Sequence, residues 1–137
     1  MRALALAGRA LERAAARTDI SLAQYRVLAL VATGDERATA VARHLDLAKP
    51  TVTAVVDGLV ARGLMVRGEV AGDRRASRLI LTPAGEDARR QVEAAMEAVL
   101  VRILAHADDP GAVTAALGDL DRALAARMTA PGQDGSR

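Results

Sequence analysis

One tyrosine is the only aromatic residue in this chain of 137, which has no Phe and no Trp. Hydrophobic residues still make up 51% of it, so the core must be built from Leu, Val, Ala and Met. That favours helices packed closely through small side chains. The length is one domain's worth, and a chain this short buries proportionally less of its surface than a larger one. The missing aromatics also remove the stacking platforms that single-stranded nucleic acid binding relies on.

With no cysteine, disulfides, thiolate chemistry and Cys-ligated zinc are excluded. His44 and His106 are far apart and read as surface or helix-face imidazoles, so neither a metal nor a cofactor is expected. No Ser-His-acid spacing or Gly-rich phosphate loop occurs, and no enzyme is expected. The start, MRALALAGRALERAAAR, is broken at Gly8-Arg9 and lacks a small-residue cleavage site, so it reads as a helix rather than a signal peptide. No uncharged apolar run approaches the ~20 residues of a membrane span. The expected location is the cytoplasm.

The net charge of +2 is unevenly placed. Residues 37 to 82 hold eight basic residues against four acids, whereas the segment from Asp108 onward holds three against five. A basic middle between neutral or acidic ends points to a polyanion-facing module, with a solvated charged surface as the plain alternative.

Hydrophobic spacing then divides the chain. Residues 1–17 read as a helix with Leu4, Ala7, Leu11 and Ala14 on one stripe. A second helix follows, capped by Asp19 or Ser21, with Leu22, Tyr25, Leu28, Ala29 and Ala32 as its apolar face. A short third helix has Thr39 as cap and buries Val41, Ala42 and Leu45. After a tight break comes a fourth, with Pro50 in its first turn. Val52, Val55, Val56, Leu59 and Val60 face inward, Lys49, Thr53, Ala54 and Asp57 face outward, and Gly63 is a left-handed cap. LMVRGEV and SRLIL read as two strands around the turn AGDRRA, residues 71–76. Thr82 caps a long helix that starts at Pro83 and reaches about Ala107. Asp109-Pro110 starts the last one, where Val113, Leu117, Leu120 and Leu124 form a strict stripe. TAPGQDGSR has linker composition.

Two short helices with a tight break, followed by a hairpin, form a winged helix-turn-helix, in which the second helix enters the DNA major groove. Lys49, Pro50, Thr51 and Thr53 stand at its entry end, where a cation and hydroxyls meet phosphates or base edges. Arg74 and Arg75 stand at the hairpin tip, and an arginine there fits a narrow minor groove. Asp73 can brace a neighbouring arginine.

The runs LAQYRVLALVA, AVARHLDLAKPTVTAVVDGLVARGLMVR and DRRASRLILTPAG resemble the MarR family of bacterial transcriptional regulators over roughly residues 19 to 90. The family's wing signature, Asp-x-Arg followed by Leu-Thr-x-x-Gly, is met by Asp73, Arg75, Leu81, Thr82 and Gly85. The resemblance implies a mainly α fold with a small β-hairpin wing, that is, a winged helix-turn-helix plus a helical dimerisation region. Its parts would be a dimerisation helix (1–18), a DNA-binding lobe (19–82), C-terminal dimerisation helices (83–128) and a flexible tail (129–137). It implies a homodimer whose interface takes in Leu4, Leu11, Val99, Ile103, Val113, Leu117, Leu120 and Leu124. A monomeric bundle burying the same stripes is the alternative. The DNA-binding set is Thr39, Lys49, Pro50, Thr51 and Thr53 on the helix pair and Asp73 and Arg75 on the wing, with Arg74 and Arg78 added from charge and placement.

The implied function is sequence-specific binding of double-stranded DNA, as a repressor on a pseudo-palindromic operator. Many members are released by a small-molecule effector, for which Leu22, Tyr25, Met65 and Met96 are the candidate pocket residues here. The rival is a winged-helix protein-interaction module without DNA binding. The chain departs from the family at Ala48, where Ser or Asp is frequent, at Asp46, where Gly is, and at Ala54, where Arg is common.

Overall fold

The computed structural model describes residues 1–34, 38–45, 48–70 and 73–129. They divide into two compact units, one from Met1 to Leu100 and one beginning at Val101. The first holds α1 (Arg2–Ala15), α2 (Leu22–Ala32), α3 (Ala38–Leu45), α4 (Lys49–Ala61), β1 (Met65–Val70), β2 (Asp73–Leu81) and most of α5 (Pro83–Leu104). The second holds the end of α5 and α6 (Pro110–Thr129). The protein is thus mainly helical with one two-stranded antiparallel hairpin.

Local chemistry sets most of the boundaries. Ser21, not Asp19, caps α2. Its hydroxyl accepts from the Gln24 amide at 3.2 Å while the Gln24 side chain accepts from the Ser21 amide at 3.0 Å, a complete capping box. α3 starts at Ala38, so Thr39 lies inside the helix and does not cap it, contrary to expectation. α4 closes at Gly63, whose φ of +69° suits a residue without Cβ. The Gly63 amide bonds the Val60 carbonyl at 2.9 Å and the Leu64 amide bonds the Leu59 carbonyl at 3.0 Å, the two bonds of a Schellman turn. Asp109 caps α6, its carboxylate accepting from the Ala112 amide at 2.9 Å.

The first unit has one hydrophobic cluster. Val27, Leu28 and Val31 of α2 meet Val41 of α3, Val52, Val56 and Leu59 of α4, Met65 and Leu79 of the hairpin, and Val92 of α5. Among the described residues no polar side chain is buried. Each fully buried Leu or Val contributes about 1.5–3 kcal/mol relative to exposure. The buried face of α2 differs from the expected one. It centres on Val27, Leu28 and Val31, while Leu22 and Tyr25 are half-buried at its margin and Ala32 is exposed. LAQYRVLALVA is apolar nearly all round, so spacing alone does not choose its inner face.

The hairpin corrects a third expectation. β2 begins at Asp73, four residues before the predicted strand, so Arg74 and Arg75 lie within a strand and not in a turn. The register runs one for one from Met65↔Leu81 to Glu69↔Ser77 and then breaks, with Val70 facing Asp73. β1 advances one residue there while β2 advances four. Arg74, Arg75 and Ala76 therefore sit in a backbone bulge, a feature that bends a strand and raises its twist.

Candidate nucleic-acid interface

α4 is built as a two-faced rod. Val52, Val56 and Leu59 recur at intervals of four and three and fix one face in the core. Thr51, Thr53, Ala54 and Asp57 are exposed on the other side, with Pro50 exposed in the first turn. Ala48 makes no side-chain cap. The amides of Thr51 and Val52 bond the Ala48 carbonyl at 2.9 and 3.2 Å. The first turn of α4 thus has two exposed threonines beside it and no capping side chain of its own on the positive end of the helix dipole.

The hairpin is tied to the same helix. Arg67 of β1 reaches the Asp57 carboxylate of α4 at 2.6 Å, with both side chains about half exposed. Such a half-exposed pair contributes roughly 0–1 kcal/mol. On the inner face of the hairpin Met65 and Leu79 are fully buried, anchoring it to the core. Arg78 is exposed and stands opposite Gly68. The side chains of Thr39, Lys49, Asp73, Arg74 and Arg75 lie outside the described part of the structure. Their backbones place Lys49 at the first position of α4 and the two arginines in the wing bulge.

The four candidate pocket residues all belong to or border the hydrophobic cluster of the first unit. Met65 is a core residue, and Leu22, Tyr25 and Met96 are half-buried against the same cluster. A polar chain runs beside them from α2 to α5. The Tyr25 hydroxyl donates to Glu93 Oε1 at 3.3 Å. Arg89 donates to the same oxygen at 2.5 Å and grips Glu86 through Nε and Nη2 at 3.0 and 2.6 Å. Burial pushes the Tyr25 phenol above its ordinary value, and the charge of Glu93 and the hydrogen bond to it push the same way. The Arg89 hydrogen bond holds the Glu86 carboxyl below its usual range, and the guanidinium is held still more firmly protonated, chiefly by Glu86.

The expected dimer residues stay uncovered in the single chain. Leu4, Ile103, Val113, Leu117, Leu120 and Leu124 are between 37% and 56% exposed, while Leu11 and Val99 are half-buried. Leu6 and Val101 are equally bare and were not marked by the spacing, since they fall beside the stripes. Sequence reasoning also missed three polar ties: Asp57–Arg67, Tyr25–Glu93–Arg89, and a contact of Arg62 with the α1–α2 loop. Apart from the i,i+4 pair Arg89–Glu93 within α5, none has a spacing signal, because each joins residues on different elements.

A two-faced helix following a short one, and a hairpin strapped to it, define a winged helix-turn-helix protein. Residues 18–76 match the model of the MarR family. A MarR-family regulator from Silicibacter pomeroyi is 27% identical, with a TM-score of 0.68 over 91% of this chain and 84% of that one. Another from Rhodococcus is 23% identical, with a TM-score of 0.74 over 95% and 89%. A MepR variant from S. aureus, solved bound to an oligodeoxyribonucleotide, is 17% identical, with a TM-score of 0.64 over 88% of both chains. No curated protein matches the sequence. Over residues 18–76 the chain is thus similar to the MarR family of transcription regulators, and its fold is the winged helix of those solved structures. No helix among the described residues is long and apolar enough to cross a membrane.

Proposed function

We propose that the protein is a homodimeric, sequence-specific binder of double-stranded DNA that represses transcription from a pseudo-palindromic operator in the cytoplasm. The observation that carries this reading is the outer face of α4. Its apolar side is fixed in the core, and Pro50, Thr51 and Thr53 stand exposed beside a helix start that Ala48 leaves without a side-chain cap. In this reading Thr39, Lys49, Pro50, Thr51 and Thr53 contact the major groove or its phosphates. Asp73, Arg74, Arg75 and Arg78 act from the wing. The DNA-bound neighbour of the same fold supports it.

The dimer is supported by the bare apolar residues of α1, the end of α5 and α6, since a small domain rarely leaves such surface uncovered. Residues 1–18 and 83–128 would then be the dimerisation region and 19–82 the DNA-binding lobe. A small-molecule effector would enter beside Leu22, Tyr25 and Met96, with Met65 behind them.

The test is selection of bound sequences from a random duplex pool at near-physiological salt. The expected result is an enriched pseudo-palindrome with half-sites about one helical turn, ~10 bp, apart. Its affinity should fall steeply between about 50 and 200 mM salt. A folded dimer that enriches nothing would refute the reading and favour a protein-interaction module.

A further inference from the structure

We propose that Arg62 is a positioning residue for the recognition helix: by holding the backbone of Asp19 it fixes the angle between α4 and α1. The proposal rests on the reading of α4 as the helix that enters DNA. It starts from the Schellman turn that ends α4. Three successive residues of that turn each hold another element. Arg62 Nη1 donates to the Asp19 carbonyl at 2.9 Å, and Nη2 lies 3.8 Å from the Asp19 carboxylate. The Gly63 carbonyl accepts from the Thr82 hydroxyl at 2.7 Å. The Leu64 carbonyl accepts from the Thr82 amide at 3.2 Å and lies directly beneath Gly85. The C-terminal end of α4 is thus gripped on one side by the start of α5 and on the other by the α1–α2 loop.

The Asp19 contact is the unusual one. Its φ of +63° makes Asp19 the single non-glycine residue with positive φ among the described residues. An L-residue enters that region at a cost and stays there only when its surroundings over-determine it. The carbonyl of this strained peptide points at Arg62, and the Asp19 carboxylate, itself almost fully exposed, adds little. The loop conformation and the end of α4 therefore fix each other. α1, which leaves this loop, carries the bare Leu4 and Leu6. In a dimer built through α1, the α1–α4 angle sets the separation of the two recognition helices, and half-site spacing on DNA tolerates little error in it.

The chain has no cysteine, so Ala54→Cys places one spin label per subunit on the exposed side of α4. The distance distribution between the two labels reads recognition-helix separation without DNA. Operator affinity is measured on the unlabelled proteins. Arg62→Ala should broaden the distribution and weaken binding about tenfold while the dimer and helix content stay unchanged. Asp19→Gly, which keeps the carbonyl and relieves the strain, should match the parent in both. If Arg62→Ala fails to fold, Arg62→Lys takes its place, because a lysine cannot hold the carbonyl with the same planar fork. A distribution and an affinity equal to the parent's would overturn the proposal, as would a broadened distribution with unchanged affinity. A parent that binds no duplex would refute the DNA-binding reading, and the label distances would still decide whether Arg62 fixes the angle.

Discussion

Thr82 uses one hydroxyl twice, donating to the Gly63 carbonyl and accepting from the Gly85 amide at 3.0 Å. It thereby caps α5 and fastens that cap to the end of α4. Gly85 completes the joint, since a Cβ there would lie 1.8 Å from the Leu64 carbonyl oxygen, a backbone atom that cannot swing away. Gly85→Ala must therefore lift α5 off the turn. The expected cost is about 3 kcal/mol or more, a fall in melting temperature of roughly 10 °C for a chain of this size. A variant melting within about 2 °C of the parent would show that α5 does not rest on Leu64. Tyr25 offers a second test at this scale, because a chain with one tyrosine and no tryptophan reports a single phenol by near-ultraviolet absorbance. Its folded pKa is raised above that of an ordinary phenol, first by burial and then by Glu93. A raised pKa means stability that is complete below the unfolded value and is lost as pH rises through the folded one. The phenol should therefore titrate above its ordinary midpoint, with stability declining across that alkaline window. Glu93→Gln should lower the midpoint part of the way and leave the contribution of burial. A midpoint at the ordinary value in the folded parent would remove Tyr25 from the α2–α5 contact.

At the scale of elements, the wing shows what a hydrophobic pattern can and cannot reveal. The two strands were legible, but their inner side was not, since Val66 and Ile80 are as apolar as the core-facing Met65, Leu79 and Leu81 and are nonetheless exposed. The bulge was not legible. DRRAS has no apolar alternation, and Asp73 and Gly72 look like turn residues, so the sequence reads as a loop where β2 has already begun. α4 was legible in its inner stripe, in the outward Thr53, Ala54 and Asp57 and in its glycine stop, because its polar and apolar residues segregate cleanly. α2 was legible as a helix but not in its orientation, for want of polar residues to mark the outside. The candidate site divides the same way. Thr53 emerges on the exposed side that the spacing assigns it, and Pro50 and Thr51 are exposed at the start of α4, whereas the ties among elements needed coordinates. The bulge bears on Arg75. The bulge bends the backbone at Arg75 relative to the core-anchored half of the hairpin. Arg75→Ala should weaken operator binding by about five- to 150-fold, as loss of an arginine contact worth ~1–3 kcal/mol implies. Dimerisation and melting temperature should stay at parental values. Parental affinity in a gel-shift titration would refute the wing's role.

The whole molecule poses a question of linkage, because the residues proposed to read DNA and those proposed to join subunits lie on different elements. Val113, Leu117, Leu120 and Leu124 repeat along α6 and are all exposed in the single chain. Replacing Leu117 and Leu124 together by Glu puts two charges on that stripe and leaves the buried cluster of the first unit untouched, since neither belongs to it. Each subunit should keep its helix content and the tyrosine titration of the parent. A symmetric dimer gains affinity because engaging one half-site raises the effective concentration of the second reader at the other, commonly by 10²–10⁴ without new contacts. The double variant should therefore sediment as a monomer and bind the operator at least about a hundredfold more weakly. Its salt dependence should be shallower as well, since one lobe neutralises about half as many phosphates as two. A monomer that kept full operator affinity would mean that a single lobe reads the whole site, and the bare stripe on α6 would then need another purpose.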